Sequence, residues 1–361
     1  MTVFAASPMT SLIDDHARYD LAESTCPPVS VGQLASPEEL AAVPLGYGTT
    51  RGDARLRELI AAESTTAESA VTPDQVLVTA GAVDGMFLLA QALIRPGDEV
   101  VLVTPCFPPA RAVPEALGAD IRVVRASFDD GYRLPLPGIA AALGPRTRLV
   151  SLASPQNPSG VNLTQGELRE LVGVVRERAP QAVILVDETY RFSTYGDASV
   201  PPPAGPGIVT CGSVSKAHGA PGLRVGWLTV TDPDLYERLR DAKFHTTIAC
   251  SGVDEFLAAR VLSRAGEILA PRAKFLAGQL AALRDWATAN EVAMVEPDGG
   301  PLCCLRVEDQ SFYQRLHDLE VRVAPGSWFG EEDRVFRLGF GHLSADDFSA
   351  ALDRLSRALR P

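Results

Sequence analysis

A lysine set among small hydroxyls and glycines, with an arginine further along, carries the most chemistry in this sequence. The stretch reads Ser213-Val214-Ser215-Lys216-Ala217-His218-Gly219-Ala220-Pro221-Gly222-Leu223-Arg224-Val225-Gly226-Trp227. A lysine amine attacks carbonyls when its surroundings favour the uncharged form. Ser213, Ser215 and Arg224 can hold a dianionic phosphate, and the glycines let that phosphate approach the backbone. An imine-forming lysine beside a phosphate site suggests pyridoxal 5′-phosphate as cofactor.

Other segments offer matching chemistry. The run Val76-Leu77-Val78-Thr79 passes through Ala80-Gly81-Ala82-Val83 into a helical pattern over about 84–94. A strand, a small-residue turn and a helix start leave N–H groups and a helix dipole aimed at an anion. Asp187 ends the apolar run 182–186, and a carboxylate there suits a buried cationic partner. Arg337 stands alone in the apolar strand 335–340, where a guanidinium can take a carboxylate through two parallel hydrogen bonds. Phe107, in Pro105-Cys106-Phe107-Pro108, can stack on a ring. Asn157 lies in the turn-forming Ser154-Pro155-Gln156-Asn157-Pro158-Ser159-Gly160.

The elements that must position these residues alternate. Strands are predicted at 76–79, 98–104, 148–153, 182–186 and 225–230, with a short one within 19–24. Leu56, Leu59 and Ile60 recur at helical spacing. Thr164-Gln165-Gly166-Glu167 reads as a capping box, followed by the apolar stripe Leu168, Leu171, Val172 and Val175. A helical, charged stretch is expected over about 233–249, and long helical patterns from about 251. The spacings Asn157 to Asp187 and Asp187 to Lys216 each leave room for one crossover. Alternation from about 75 to 230 predicts an α/β domain with a mostly parallel sheet. Gly81, Phe107, Asn157 and Asp187 fall just after predicted strands, where open α/β sheets place ligands.

The 361 residues carry a net charge of −12, which argues against a nucleic-acid partner. A hydrophobic share of 46% and a mean hydropathy of +0.07 suit a soluble globular chain with room for a large and a smaller domain. No secretory signal and no membrane-spanning run is read. Six scattered cysteines without a C-x-x-C pair predict reduced thiols and a cytoplasmic protein. The five histidines show no metal spacing, so no metal is predicted.

The ordered pattern S-x-S-K-x-x-G-x-x-G-x-R-x-G around Lys216 resembles the cofactor-lysine segment of the fold-type I pyridoxal-phosphate enzymes, specifically the class I/II aminotransferases. The resemblance runs over most of residues 45–340. It implies the transferase-like fold: an N-terminal arm (1–34) joining the small domain, a large cofactor-binding α/β domain (35–250) and a smaller α+β C-terminal domain (251–361). It implies that Lys216 holds the cofactor as an imine and that Asp187 meets the pyridine nitrogen. Tyr190 and Asn157 would face the phenolic oxygen, while Gly81, Ala82, Val83, Ser213, Ser215 and Arg224 cup the phosphate. Phe107 would stack on the ring where the family most often has tyrosine. Tyr47, in Tyr47-Gly48-Thr49-Thr50-Arg51-Gly52, would reach the neighbouring subunit's cofactor phosphate, implying a homodimer. Arg337, with Asn157, would clamp the substrate carboxylate. The arm Leu21-Ala22-Glu23-Ser24 departs from the family, and Glu23 is a candidate for a cationic substrate group. His218 is expected to be a packed histidine.

The implied activity is transfer of an amino group between an L-amino acid and a 2-oxo acid. The alternative is a specialised lyase, cyclase or oxidase built on the same apparatus. A non-enzymatic, cofactor-binding regulator would need a DNA-binding module, and no basic patch is present.

Overall fold

The computed structural model describes residue 4, residues 6–67 and residues 69–360. After a short arm strand, β1 (Tyr19–Asp20), come β2 (Val76–Thr79), β3 (Glu99–Thr104), β4 (Asp120–Arg125), β5 (Thr147–Ala153), β6 (Val183–Asp187), β7 (Ile208–Ser213) and β8 (Gly226–Thr229). Strands β2 to β8 form one seven-stranded sheet in the order β2-β8-β7-β6-β5-β3-β4. Neighbours run parallel except at β8, which is antiparallel to both β2 and β7.

Successive side chains of a strand face opposite ways, so a central strand covered on both faces must be apolar throughout. Val100, Leu149, Leu185 and Val209 pack on one face against Leu88, Leu89, Leu235 and Leu239. Their chain neighbours Val101, Val150 and Val186 pack on the other against Leu168, Leu171, Val172 and Val175. Each such fully buried aliphatic side chain stabilises the fold by about 1.5–3 kcal/mol. The helix Gln165–Arg178 begins with the expected capping box: Glu167 N donates to Thr164 Oγ1 at 3.1 Å and Thr164 N to Glu167 Oε2 at 2.8 Å.

β9 (Ala293–Val295), β10 (Leu302–Arg306), β11 (Val321–Arg322), β12 (Ala324–Pro325) and β13 (Val335–Gly339) follow. Four of them make an antiparallel sheet ordered β12-β13-β10-β9, while β11 pairs in parallel with β1. Helices Ala265–Ala289 and Ala345–Leu359 cover this sheet through Leu276, Leu280, Leu283, Phe348, Leu352 and Leu355, and Tyr19, Leu21 and Cys26 of the arm join the same core.

The structure departs from the sequence reading in places. The arm strand stops at Asp20 because the chain then crosses β13: Gly339 N donates to Leu21 O at 2.7 Å, and a Cβ on Gly339 would lie 1.8 Å from the Glu23 carbonyl oxygen. The helix expected to reach about 249 ends at Phe244, where the Lys243 carbonyl accepts from Thr246, Thr247 and Ile248, and Ile248 turns left-handed at φ 59°. The helix expected from about 84 starts at Ala82. Strands β4, β7 and β9 to β12 lie outside the strands that the sequence predicts.

The loop of Tyr47 to Gly52 lies against β2, with Gly52 at φ 101° and no room for a Cβ beside Val78. It is held from beneath. The buried Lys243 donates to Thr50 O at 2.7 Å, and Glu255 accepts from Asp53 N at 3.0 Å. Among the described residues no helix is long and apolar enough to cross a membrane.

Candidate active site

Because β2, β3, β5, β6 and β7 all point the same way, Thr79, Thr104, Ala153, Asp187 and Ser213 end on one edge of the sheet. The loop from β7 to β8 carries Lys216 onto that edge. Its Nζ lies 3.4 Å from Ser24 Oγ and 3.7 Å from Glu23 Oε1, and 5.8 Å from the centre of the Tyr190 ring. The Tyr190 hydroxyl and Ser24 Oγ share a hydrogen bond of 2.8 Å in a buried setting.

Asp187 sits at the tip of β6. Its Oδ1 accepts from Thr189 N at 2.9 Å and from the Thr189 hydroxyl. Burial pushes this carboxyl above its ordinary pKa, and the Thr189 and Cys211 hydrogen bonds and the Lys216 charge offset that only in part. No ion pair engages it among the described residues. A desolvated carboxylate of this kind favours an incoming cation.

Arg337 lies in the middle of β13, 1% exposed. Its Nη1 donates to Asn157 Oδ1 at 2.9 Å and its Nη2 to Ala22 O at 2.6 Å, and its guanidinium stands 4.7 Å over the Phe329 ring. Its Nε is buried without a partner, an N–H ready for an anionic acceptor. Asn157, with Oδ1 engaged by Arg337, keeps its Nδ2 hydrogens for another acceptor.

Gly81 caps the helix Ala82–Leu93 at φ 83°, and a Cβ there would meet Arg224 Nη2 at 2.6 Å. Gly226 packs on the same turn, where a Cβ would come within 2.4 Å of Ala82 N. Arg224, itself left-handed at φ 49°, is thereby laid against free helix N–H groups, a cationic cradle for phosphate. The buried Ser213 and Ser215 lie on the same loop, with Ser215 N donating to Ser213 Oγ at 3.2 Å. Val83 is in the first helical turn, 37% exposed. Phe107 lines a small, mostly apolar cavity that also reaches Asp187, Cys106 and Gln156.

Thus Lys216 meets Glu23 and Ser24, Ser24 links it to the Tyr190 hydroxyl, Arg337 meets Asn157, and Arg224 lies against Gly81. Tyr47 does not join them within this chain, because its side chain is 90% exposed. Sequence reasoning missed three contributors: Ser24, the Ala22 carbonyl and Phe329. Nothing local to Phe329 signals that its ring would underlie Arg337.

His218 is fully buried, tilted against Phe192 at 5.2 Å, with neither ring nitrogen bonded. Burial pushes its pKa from an ordinary 6.5 down to about 3, aided by the Arg272 and Arg191 charges. Between those values only the unfolded chain takes the proton, so stability falls as pH drops, by about 2 kcal/mol from pH 7 to pH 5 for this residue. His218→Phe should therefore lose about 2 kcal/mol less over that interval than the wild type, while retaining turnover. Urea titrations at the two pH values measure this, and an equal loss in both proteins contradicts it.

A lysine amine, a desolvated aspartate and a glycine-built phosphate cradle on the carboxyl edge of a mostly parallel α/β sheet define a pyridoxal-phosphate-dependent enzyme of fold type I. Comparison with known proteins narrows this. Residues 19–355 match the family described as aminotransferase class I and II, and the chain belongs to that family. It is 31% identical over 305 residues to capreomycidine synthase of Streptomyces vinaceus, covering 81% of this chain and 76% of that protein. Among solved structures, a PLP-dependent aminotransferase of Streptococcus suis superposes with a TM-score of 0.89 at 25% identity, covering 99% of this chain and 98% of that one. The PLP-dependent cyclase OrfR superposes with a TM-score of 0.86 at 27% identity, covering 99% and 97%. The chain is a pyridoxal-phosphate-dependent aminotransferase acting on amino-acid and 2-oxo-acid substrates.

Proposed function

We propose that Lys216 anchors the cofactor and carries the proton in an exchange of the amino group between an L-amino acid and a 2-oxo acid. The observation that carries this reading is the half-buried Asp187, without a salt bridge among the described residues, at the sheet edge that also holds Lys216. Bound there, pyridoxal phosphate supplies an electron-withdrawing ring that stabilises negative charge at the substrate Cα.

The chain's own groups do the rest. Arg224, Ser213, Ser215 and the helix start at Gly81, Ala82 and Val83 bind the phosphate. The Asp187 carboxylate holds a proton on the ring nitrogen, a charge-assisted pairing strengthened by low local polarity. The Tyr190 hydroxyl and the free Asn157 amide donate to the phenolic oxygen, and Phe107 covers a ring face. Arg337 takes the substrate carboxylate, using the unpartnered Nε–H and exchanging the Ala22 carbonyl for a charged acceptor. With the carboxylate fixed, the Cα–H is oriented toward Lys216 Nζ, which removes the proton as a base and returns it as an acid.

Tyr47, exposed beside the equally exposed Leu45 (89%), reaches the cofactor phosphate of a second copy. The working unit is then a homodimer. Sedimentation at assay concentration should read a dimer; a monomer with full activity excludes this role for Tyr47.

A second reading, cyclisation of an amino-acid side chain, is favoured by the likeness to a cyclase structure and to capreomycidine synthase. Phe107, which lacks the hydroxyl of the family's usual tyrosine, points the same way. Incubation with single amino acids, with and without a 2-oxo acid, separates the two. Oxo-acid formation only when an acceptor is supplied supports amino-group exchange; turnover of the amino acid alone overturns it in favour of the second reading.

A further inference from the structure

On the reading above, the charged groups that meet cofactor and substrate have counter-charges, with one exception. Arg224 meets the phosphate, Arg337 the substrate carboxylate and Asp187 the ring nitrogen. Glu23 is the exception. Its present partner is Lys216, 3.7 Å away, an amine committed to the cofactor and to the Cα proton. The Glu23 side chain is 21% exposed, so water alone solvates it poorly. Burial disfavours its charge, yet Lys216, the Ser24 N–H at 2.7 Å, Arg337 and the exposed His342 together hold its pKa below the ordinary carboxylate value.

The backbone at Glu23 is fixed in place. Gly339 N donates to Leu21 O at 2.7 Å, and Gly339 leaves no space between β13 and Glu23 O. A substrate whose carboxylate is on Arg337 and whose Cα is at Lys216 has both of its fixed points beside this carboxylate. A desolvated carboxylate in that position favours a positive group and opposes a negative one.

We propose that Glu23 is a specificity-determining residue that selects amino donors bearing a cationic side chain, an ammonium or a guanidinium. The proposal rests on the assignment of Lys216 and Arg337 above. Its test begins with ligands that lack an α-amine and cannot react. Calorimetric titration of the holoenzyme with 4-guanidinobutyrate and with hexanoate should give tighter binding of the first by about tenfold or more. Glu23→Gln should erase that difference and Glu23→Asp retain part of it. Gly339→Ala, which pushes the arm away without touching the carboxylate, should weaken it as well. In turnover, the preference for arginine over norleucine should fall about tenfold in Glu23→Gln, through KM rather than kcat.

Equal binding of the two ligands, failure of 4-guanidinobutyrate to bind, or a preference that survives in Glu23→Gln overturns the proposal. Borohydride trapping with pyridoxal phosphate, read by mass at Lys216, separates this failure from a wider one. A Lys216 adduct without the ligand preference overturns Glu23's role alone; absence of the adduct overturns the assignment beneath it as well.

Discussion

Lys216→Ala should abolish amino-group exchange, with kcat/KM lower by at least about 10²–10⁴-fold from loss of the proton carrier alone. Loss of the anchoring amine adds to that, so residual turnover should sit near the uncatalysed rate. Removing the ammonium also strands Glu23, whose nearest cation is Lys216 Nζ at 3.7 Å, so the alanine protein should be less stable as well as inactive. Lys216→Arg separates these effects: its guanidinium keeps a charge beside Glu23 yet cannot act as amine or base. The arginine protein should be nearly as stable as the wild type and as inactive as the alanine protein. Steady-state assays with thermal melts measure both, and an alanine variant retaining a tenth of wild-type turnover removes Lys216 from the chemistry.

Asp187→Asn should lower kcat by about 10²–10³-fold, the scale for removing one preorganised electrostatic partner. Its effect on folding should be opposite in sign. The pKa of Asp187 is raised in the fold, chiefly by burial, so its contribution to stability is present below the unfolded value and lost as pH rises through the folded one. Asparagine carries no charge to desolvate, and its side-chain oxygen can still accept from Thr189 N and the Thr189 hydroxyl. The cofactor-free asparagine protein should therefore be at least as stable as the wild type at neutral pH, with the advantage disappearing in acid. Urea unfolding of both cofactor-free proteins at pH 7 and pH 3.5 tests this. A variant clearly less stable at pH 7 would show that the carboxylate serves the fold rather than the site.

Much of this was legible in the chain because the signals are local and periodic. The run 182–186 reads as a buried strand since both of its faces are apolar, and Asp187 stands out as the charge that ends it. Thr164 and Glu167 announce a helix start for the same reason: reciprocal capping depends on residues three apart. What stayed hidden depends on approach between distant segments. The buried Ile208–Ser213 run follows a proline-rich connection and abuts the lysine stretch, so it reads as part of that loop. Asp120–Arg125 lies at the sheet edge, where mixed polarity blurs the alternation. The arm is the clearest case. Nothing near residue 23 reveals that Gly339 admits its carbonyl, that Ala22 caps Arg337, or that Ser24 joins Tyr190 to Lys216. Tyr47 shows the reverse: its motif is plain, yet a single chain leaves it facing solvent.

The pairing of Ser213 with Gly226 has a consequence for how this gene can vary. Both feet of the segment 214–225 are held at a single rung of one antiparallel ladder, so its contour length is set by the sheet and not by the substrate. Adding or deleting one codon there would shift the amine at 216 and the guanidinium at 224 relative to each other, whereas exchanging the side chain of the exposed Gly222 would leave that span intact. Libraries aimed at new donors should therefore hold the length of this segment constant and vary the arm.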